Sequence, residues 1–179
     1  MTKNFKLKDM MYSSIFAALI SVLGYVVIPL PFSPVPVTGQ TLGIMLAGQL
    51  LAPFQAFLSV FIFILLGVAG VPVFSGGRSG IGVLAGPSGG YIVGFLVGAV
   101  VISLLCRKSN NIWKLGGSAI VGGIIVVYLL GVSRLNFLTG MGLEKAIVTG
   151  ALPFIPGDIL KVIAATLLAK RLKPHLKSR

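Results

Sequence analysis

Six stretches of this chain are apolar enough to lie in hydrocarbon, and they limit its fold more than any other feature. They run roughly Met10–Ile28, Thr41–Ala52, Phe54–Val68, Gly90–Cys106, Leu115–Val132 and Ala146–Ala169. Lipid offers no partner to a backbone N–H or C=O, so a spanning segment must close its own hydrogen bonds, as a helix does. About 20 apolar residues reach across the bilayer core. The second stretch is short and Pro53 closes it. The link Ala52-Pro53-Phe54 is so tight that the second and third stretches form an antiparallel pair. Only 10% of residues are charged, against about a quarter in a soluble domain. The expectation is an all-α membrane protein of six transmembrane helices in a single domain, 1–179. The first stretch is long enough to span and carries no clear cleavage motif, so it is not read as a signal peptide.

The net charge of +12 would suggest nucleic acid in a soluble protein. Here its distribution indicates orientation instead. With the N-terminus inside, Lys3, Lys6, Lys8, Arg107, Lys108, Lys114, Lys170, Arg171, Lys173, Lys177 and Arg179 all fall on the cytoplasmic side. Arg78, Arg134 and Lys145 fall outside, and Lys161 lies within the membrane. This excess follows the positive-inside rule and puts both termini in the cytoplasm. Nucleic acid is excluded as a partner.

The sixth stretch contains two of the rarest residues for such a place. In Pro153-Phe154-Ile155-Pro156-Gly157-Asp158-Ile159-Leu160-Lys161, an acid and a base sit three residues apart on one helix face. The chain has only three acids in all. A charge at that depth costs several kcal/mol, so it faces protein or water and usually has a function. The prolines and glycine before it read as a helix break, of the kind found where membrane proteins bind small solutes. Two further outer segments, Pro29–Gln40 and Gly70–Gly80, mix proline with large apolar residues. Irregular backbone at membrane depth is tolerated where it packs in protein or lines a cavity. Together the three segments suggest a pocket open outward, with the first as a lid.

Asp158, Lys161, Arg78, Gln40 and Tyr91, with Thr38, are the polar groups available to that pocket. Phe32, Val35, Val73 and Phe74 are its candidate apolar walls. Asp158, Lys161 and Arg78 carry one net positive charge, which suits a monoanion bearing a carboxylate and N–H donors. Asp158 would accept from the N–H groups, and Arg78 or Lys161 would hold the carboxylate. Plainer roles compete. Asp158 and Lys161 could merely neutralise each other, or Asp158 could cap the helix after Pro156-Gly157. Arg78 could be a surface residue, Tyr91 an interfacial anchor and Gln40 a helix cap.

Other motifs count for less. Gly80-Ile81-Gly82-Val83-Leu84-Ala85 matches G-x-G-x-x-A but follows no strand of a βαβ unit, so it is not a dinucleotide site. No phosphate-binding P-loop is present, and a lone Cys106 and a lone His175 leave no metal cluster or catalytic set. Enzymatic activity and a metal or other cofactor are not expected. Gly86, Gly90, Gly94 and Gly98 form a small-residue stripe suited to close helix packing. The first helix carries Ser14/Ala18 and, one step round, Ser13/Ala17/Ser21, which would pack within the chain or dock a separate membrane protein.

These blocks resemble the BioY family, the biotin-specific S components of energy-coupling factor (ECF) transporters. The resemblance covers essentially the whole chain. It is carried by Pro34-Val35-Pro36-Val37-Thr38-Gly39-Gln40-Thr41-Leu42-Gly43, by Gly70–Arg78 continuing to Gly86-Pro87-Ser88-Gly89-Gly90-Tyr91, and by Pro153–Lys161. It implies a six-helix S-component fold in the bacterial cell membrane, with biotin captured from outside. It further implies a transmembrane coupling protein and two ABC-type ATPase subunits as partners, and reorientation in the membrane on release. By resemblance, a small-xxx-small motif on the first helix, Ser14/Ala18 or Ala17/Ser21, would contact the coupling protein. Asp158 would take a ureido N–H, Lys161 the ureido oxygen, and Arg78 or a polar group at the pocket mouth the carboxylate. A stand-alone ion-coupled carrier of small anions and an S component for another vitamin are the competing expectations.

Overall fold

The computed structural model of the chain describes residues 7–107 and 109–177, the side chains of 175–177 excepted. Of the basic residues assigned to the cytoplasmic side, Lys3, Lys6, Lys108 and Arg179 lie outside the described residues, as do the side chains of Lys177 and of His175. The chain is mostly helical. Its helices are α1 (Leu7–Leu23), α2 (Gln40–Leu50), α3 (Pro53–Val68), α4 (Ile81–Ala85), α5 (Gly89–Cys106), α6 (Ile112–Ala119), α7 (Val127–Thr139), α8 (Leu143–Gly150) and α9 (Ile155–Lys177). A wider π-type turn, Ile120–Val126, joins α6 to α7 without a break. Gly89–Cys106, Ile112–Thr139 and Leu143–Pro174 are long and apolar enough to cross a membrane, and Pro53–Val68 is a shorter apolar helix.

Several boundaries differ from those expected. The first helix stops at Leu23, and Val27–Ile28 instead forms a short antiparallel hairpin with Val37–Thr38, Val27 facing Thr38. The proline-rich segment is the tip of that hairpin, where the missing N–H of proline does no harm. The helix expected over Leu115–Val132 runs on through α7 to Thr139, so Arg134 is helical rather than in a loop, and its Nη2 donates to Ala85 O at 3.0 Å. The break in the sixth stretch lies earlier than Pro156-Gly157. It falls at Ala151, whose φ of −131° and ψ of −57° leave the helix, followed by one tight turn, Leu152–Phe154. Pro156 and Gly157 belong to the first turn of α9, where a proline loses no hydrogen bond. Asp158 therefore sits inside that first turn and is not the helix cap, though its charge still suits the positive end of the helix.

Packing is closest where side chains are smallest. The α5 stripe lies against α7 and the π-type turn. A Cβ placed on Gly94 would stand 2.9 Å from Val127 Cα and 3.1 Å from Val127 O. Gly90 faces Leu130 and Gly131, and Gly98 faces Gly122, in the same backbone-to-backbone fashion. In lipid, where burial of apolar surface drives little, such close approach supplies the dispersion contacts that join helices. Gly94→Val is expected to destabilise the ligand-free protein by about 1–3 kcal/mol, as overpacking does. Thermal unfolding in detergent would show it, and an unchanged midpoint would contradict the packing.

Helix α1 uses one of its two small-residue registers for internal packing. Ser13, Ala17 and Ser21 are buried, α1 packs on α3 and α2, and Ser13 Oγ donates to Gln55 O at 3.2 Å. Ala17 and Ser21 are thus taken up within the chain and offer no surface to a partner. Ser14 and Ala18 are exposed.

Candidate binding site

A pocket of about 540 Å³, its open mouth included, lies between the hairpin, the 75–88 segment and the adjoining ends of α2, α5, α7 and α9. Asp158 and Lys161 are the charged residues that line it. Lys161 Nζ lies 2.8 Å from Asp158 Oδ1. It also donates to Thr38 O at 2.7 Å and to Thr41 Oγ1 at 2.9 Å, so all three of its N–H groups are engaged. Asp158 is 2% exposed and Lys161 is partly buried. Thr41 Oγ1 donates to Asp158 Oδ1 at 3.1 Å, and the Tyr128 hydroxyl donates to Asp158 Oδ2. The pair is therefore neutral and hydrogen-bonded on both sides, the condition under which a buried ion pair is tolerable. Neutralisation and a place in the pocket prove compatible.

The other polar residues divide. Gln40 lines the pocket, but its Nε2 donates to Val73 O at 3.2 Å and so ties the 71–78 loop to α2. Tyr91 also lines the pocket, yet its hydroxyl donates to Gly150 O at 2.7 Å, which makes the ring a wall rather than the hydroxyl a contact. Arg78 is exposed and is not among the lining residues. It stands one bond outside them: its Nη2 donates to Ser75 Oγ at 2.8 Å and Ser88 Oγ at 3.3 Å, and both serines line the pocket. The loop can deliver Arg78 there because Gly76 and Gly77 adopt φ of 70° and 76°, which side-chain-bearing residues avoid. The loop itself is held to the end of α1 by Gly76 N–H on Gly24 O at 2.9 Å and by the Tyr25 hydroxyl on Pro72 O at 2.6 Å.

Of the expected apolar walls, only Val35 lines the pocket. Phe32 is exposed at the hairpin tip. Phe74 turns inward to meet Phe63 edge-on at 5.5 Å, and buried Val73 contributes its carbonyl to Gln40. The walls are instead Val37, Val83, Ile92, Phe95, Val127 and Phe154. Thr41, Tyr128, Ser75 and Ser88 are the polar residues that the sequence analysis did not single out. Thr41 and Tyr128 meet Asp158 across separations of 117 and 30 residues, which no local spacing shows.

Comparison with known proteins follows this geometry. The model of the BioY family matches residues 1–178. A biotin transporter BioY from Rhizobium etli is 39% identical over 172 residues, covering 91% of each chain. A probable biotin transporter BioY from Bacillus subtilis is 41% identical, covering 96% of this chain and 93% of that one. The crystal structure of the S-component for biotin from an ECF-type ABC transporter superposes with a TM-score of 0.89 at 36% identity, covering 97% of this chain and 95% of that one.

Proposed function

The chain belongs to the BioY family, and from that premise we propose that it is the biotin-capturing S component of an ECF-type transporter. It is a transport subunit and not an enzyme. It forms one domain of six spans in a bacterial cell membrane, with both termini in the cytoplasm and the pocket facing out. A transmembrane coupling protein joins it to two ABC-type ATPase subunits, and these hydrolyse the ATP. Ser14 and Ala18, exposed on α1, are its contact with the coupling protein.

The observation that carries the ligand assignment is the polarity of the pocket. The lining holds the Asp158–Lys161 ion pair, net neutral, together with many apolar side chains, and Arg78 is bonded to the lining residues Ser75 and Ser88. Biotin has matching chemistry: a ureido ring with N–H donors, an aliphatic chain and a carboxylate. Asp158 accepts a ureido N–H. Lys161 reaches a ligand oxygen only by releasing one of its three present acceptors. Arg78 takes the carboxylate, since it stands beside the lining residues Ser75 and Ser88 and bonds there to hydroxyl and carbonyl oxygens rather than to a carboxylate. Gln40 and Tyr91 complete the site by fixing the loop and the wall.

The test is equilibrium binding of labelled biotin to the purified chain in detergent, with Arg78→Ala beside it. Wild type binds one equivalent tightly. Arg78→Ala weakens biotin roughly 10- to 100-fold, the value of a charge-assisted hydrogen bond, and leaves biotin methyl ester unaffected. A folded wild type that ignores biotin overturns the function. An equal loss for acid and ester overturns the assignment of the carboxylate.

A further inference from the structure

Asp158 is held by donors from three helices, and they leave its carboxylate nearly full. An ionised carboxylate has about four lone-pair positions. Thr41 from α2 and Lys161 from α9 itself both donate to Oδ1, at 3.1 and 2.8 Å. Tyr128 from α7 donates to Oδ2. One position remains, on Oδ2, and Asp158 lines the pocket. The terminal torsion of an aspartate is soft, so α9 alone would not fix which way that position points. Tyr128 can fix it. Its ring is braced against Phe154, centroids 6.4 Å apart, and a phenol has no further torsion that moves its oxygen.

We infer that the Tyr128 hydroxyl is a positioning group that pins Asp158 Oδ2 and directs its remaining lone pair at a ligand N–H. The inference rests on the biotin reading and adds to it. The carboxylate accepts one ureido N–H, because Oδ1 is filled and Oδ2 is shared with Tyr128. The two ureido nitrogens are therefore distinguished by the protein, and the distinction depends on a residue that acts through Asp158. Tyr128 also lines the pocket, so the test must separate a wall from a positioning group.

The experiment uses the full chain in detergent, Tyr128→Phe, and biotin carrying 15N at both ureido nitrogens. Tyr128→Phe keeps the ring and removes the donor. The expected result is a loss of affinity of about tenfold to a hundredfold, with the ligand-free thermal midpoint lowered less than in Asp158→Asn, which strands Lys161 as well. In the bound state, one ureido N–H proton resonance shifts in Tyr128→Phe and the other stays in place. Unchanged affinity overturns the inference. So does a loss of affinity with both resonances unmoved, which would make Tyr128 a wall only. If Tyr128→Phe does not fold, 3-fluorotyrosine at position 128 keeps the hydroxyl and strengthens it as a donor. The same single resonance must then move, and its failure to move overturns the inference. A wild type that binds no biotin instead overturns the biotin reading itself.

Discussion

Asp158→Asn is expected to weaken biotin binding by at least about a hundredfold, equivalent to nearly 3 kcal/mol, and to lower stability as well. The two losses have different origins. Removing one member of a buried ion pair leaves the other uncompensated, which typically costs about 3–5 kcal/mol. Here the abandoned partner is Lys161, 2.8 Å from Asp158 and fixed to Thr38 and Thr41. Binding falls for a separate reason. Asparagine offers one acceptor oxygen where the aspartate has two, and its amide would point a donor at Tyr128, Thr41 or the ligand. Adding Lys161→Met removes the stranded charge, so the double variant recovers much of the thermal midpoint without recovering biotin affinity. Thermal unfolding without ligand and equilibrium binding, measured on the same samples, separate the effects. Wild-type affinity in Asp158→Asn would remove Asp158 from the site altogether.

Ala18→Trp and Ala17→Trp should fail in opposite ways. The two positions are adjacent on α1, but Ala17 is 1% exposed while Ala18 lies on the open face with Ser14 and Ile15. An indole at Ala17 has no room against α3, so overpacking is expected to destabilise the monomer by about 3 kcal/mol or more and to reduce the yield of folded protein. An indole at Ala18 meets nothing within the chain. Biotin affinity and thermal midpoint should stay at wild-type values, while co-purification with the proposed coupling protein and ATPases is lost. Intact assembly of Ala18→Trp would move the partner surface away from this face of α1.

Much of this organisation is legible in the sequence because membrane chemistry is restrictive. Apolar length locates α5 to within a residue, since nothing charged interrupts it before Arg107. The rarity of charge points directly to Asp158 and Lys161, and a loop rich in glycine points to Arg78. Legibility fails where two physical effects share one signal. Pro156 reads as a helix breaker in the linear chain, yet a proline is equally at home in a first turn, and only the backbone at Ala151 shows which applies. Phe74 reads as a pocket wall because it is apolar and near glycines, but Gly67 opens a slot that draws the ring into the core. Tyr128 is hardest of all. It lies in Val126-Val127-Tyr128-Leu129-Leu130, where an aromatic residue suits lipid, core and site equally, and only its hydroxyl bond to α9 assigns it.

The π-type turn at Ile120–Val126 makes the phase of the apolar helix Ile112–Thr139 a matter of counting. Each residue of an α-helix turns the chain by about 100°. The extra residue accommodated in that turn lets α6 face α9 while α7, immediately beyond, faces α5. Tyr128 is the second residue past the turn. An insertion of one residue among 120–126, beyond the one that the turn already absorbs, would leave every pocket residue present by name, yet swing Tyr128 roughly a quarter-turn away from Asp158. The identity of the pocket thus resides partly in an interval: two chains could agree at every lining position and differ in function by a single spacer.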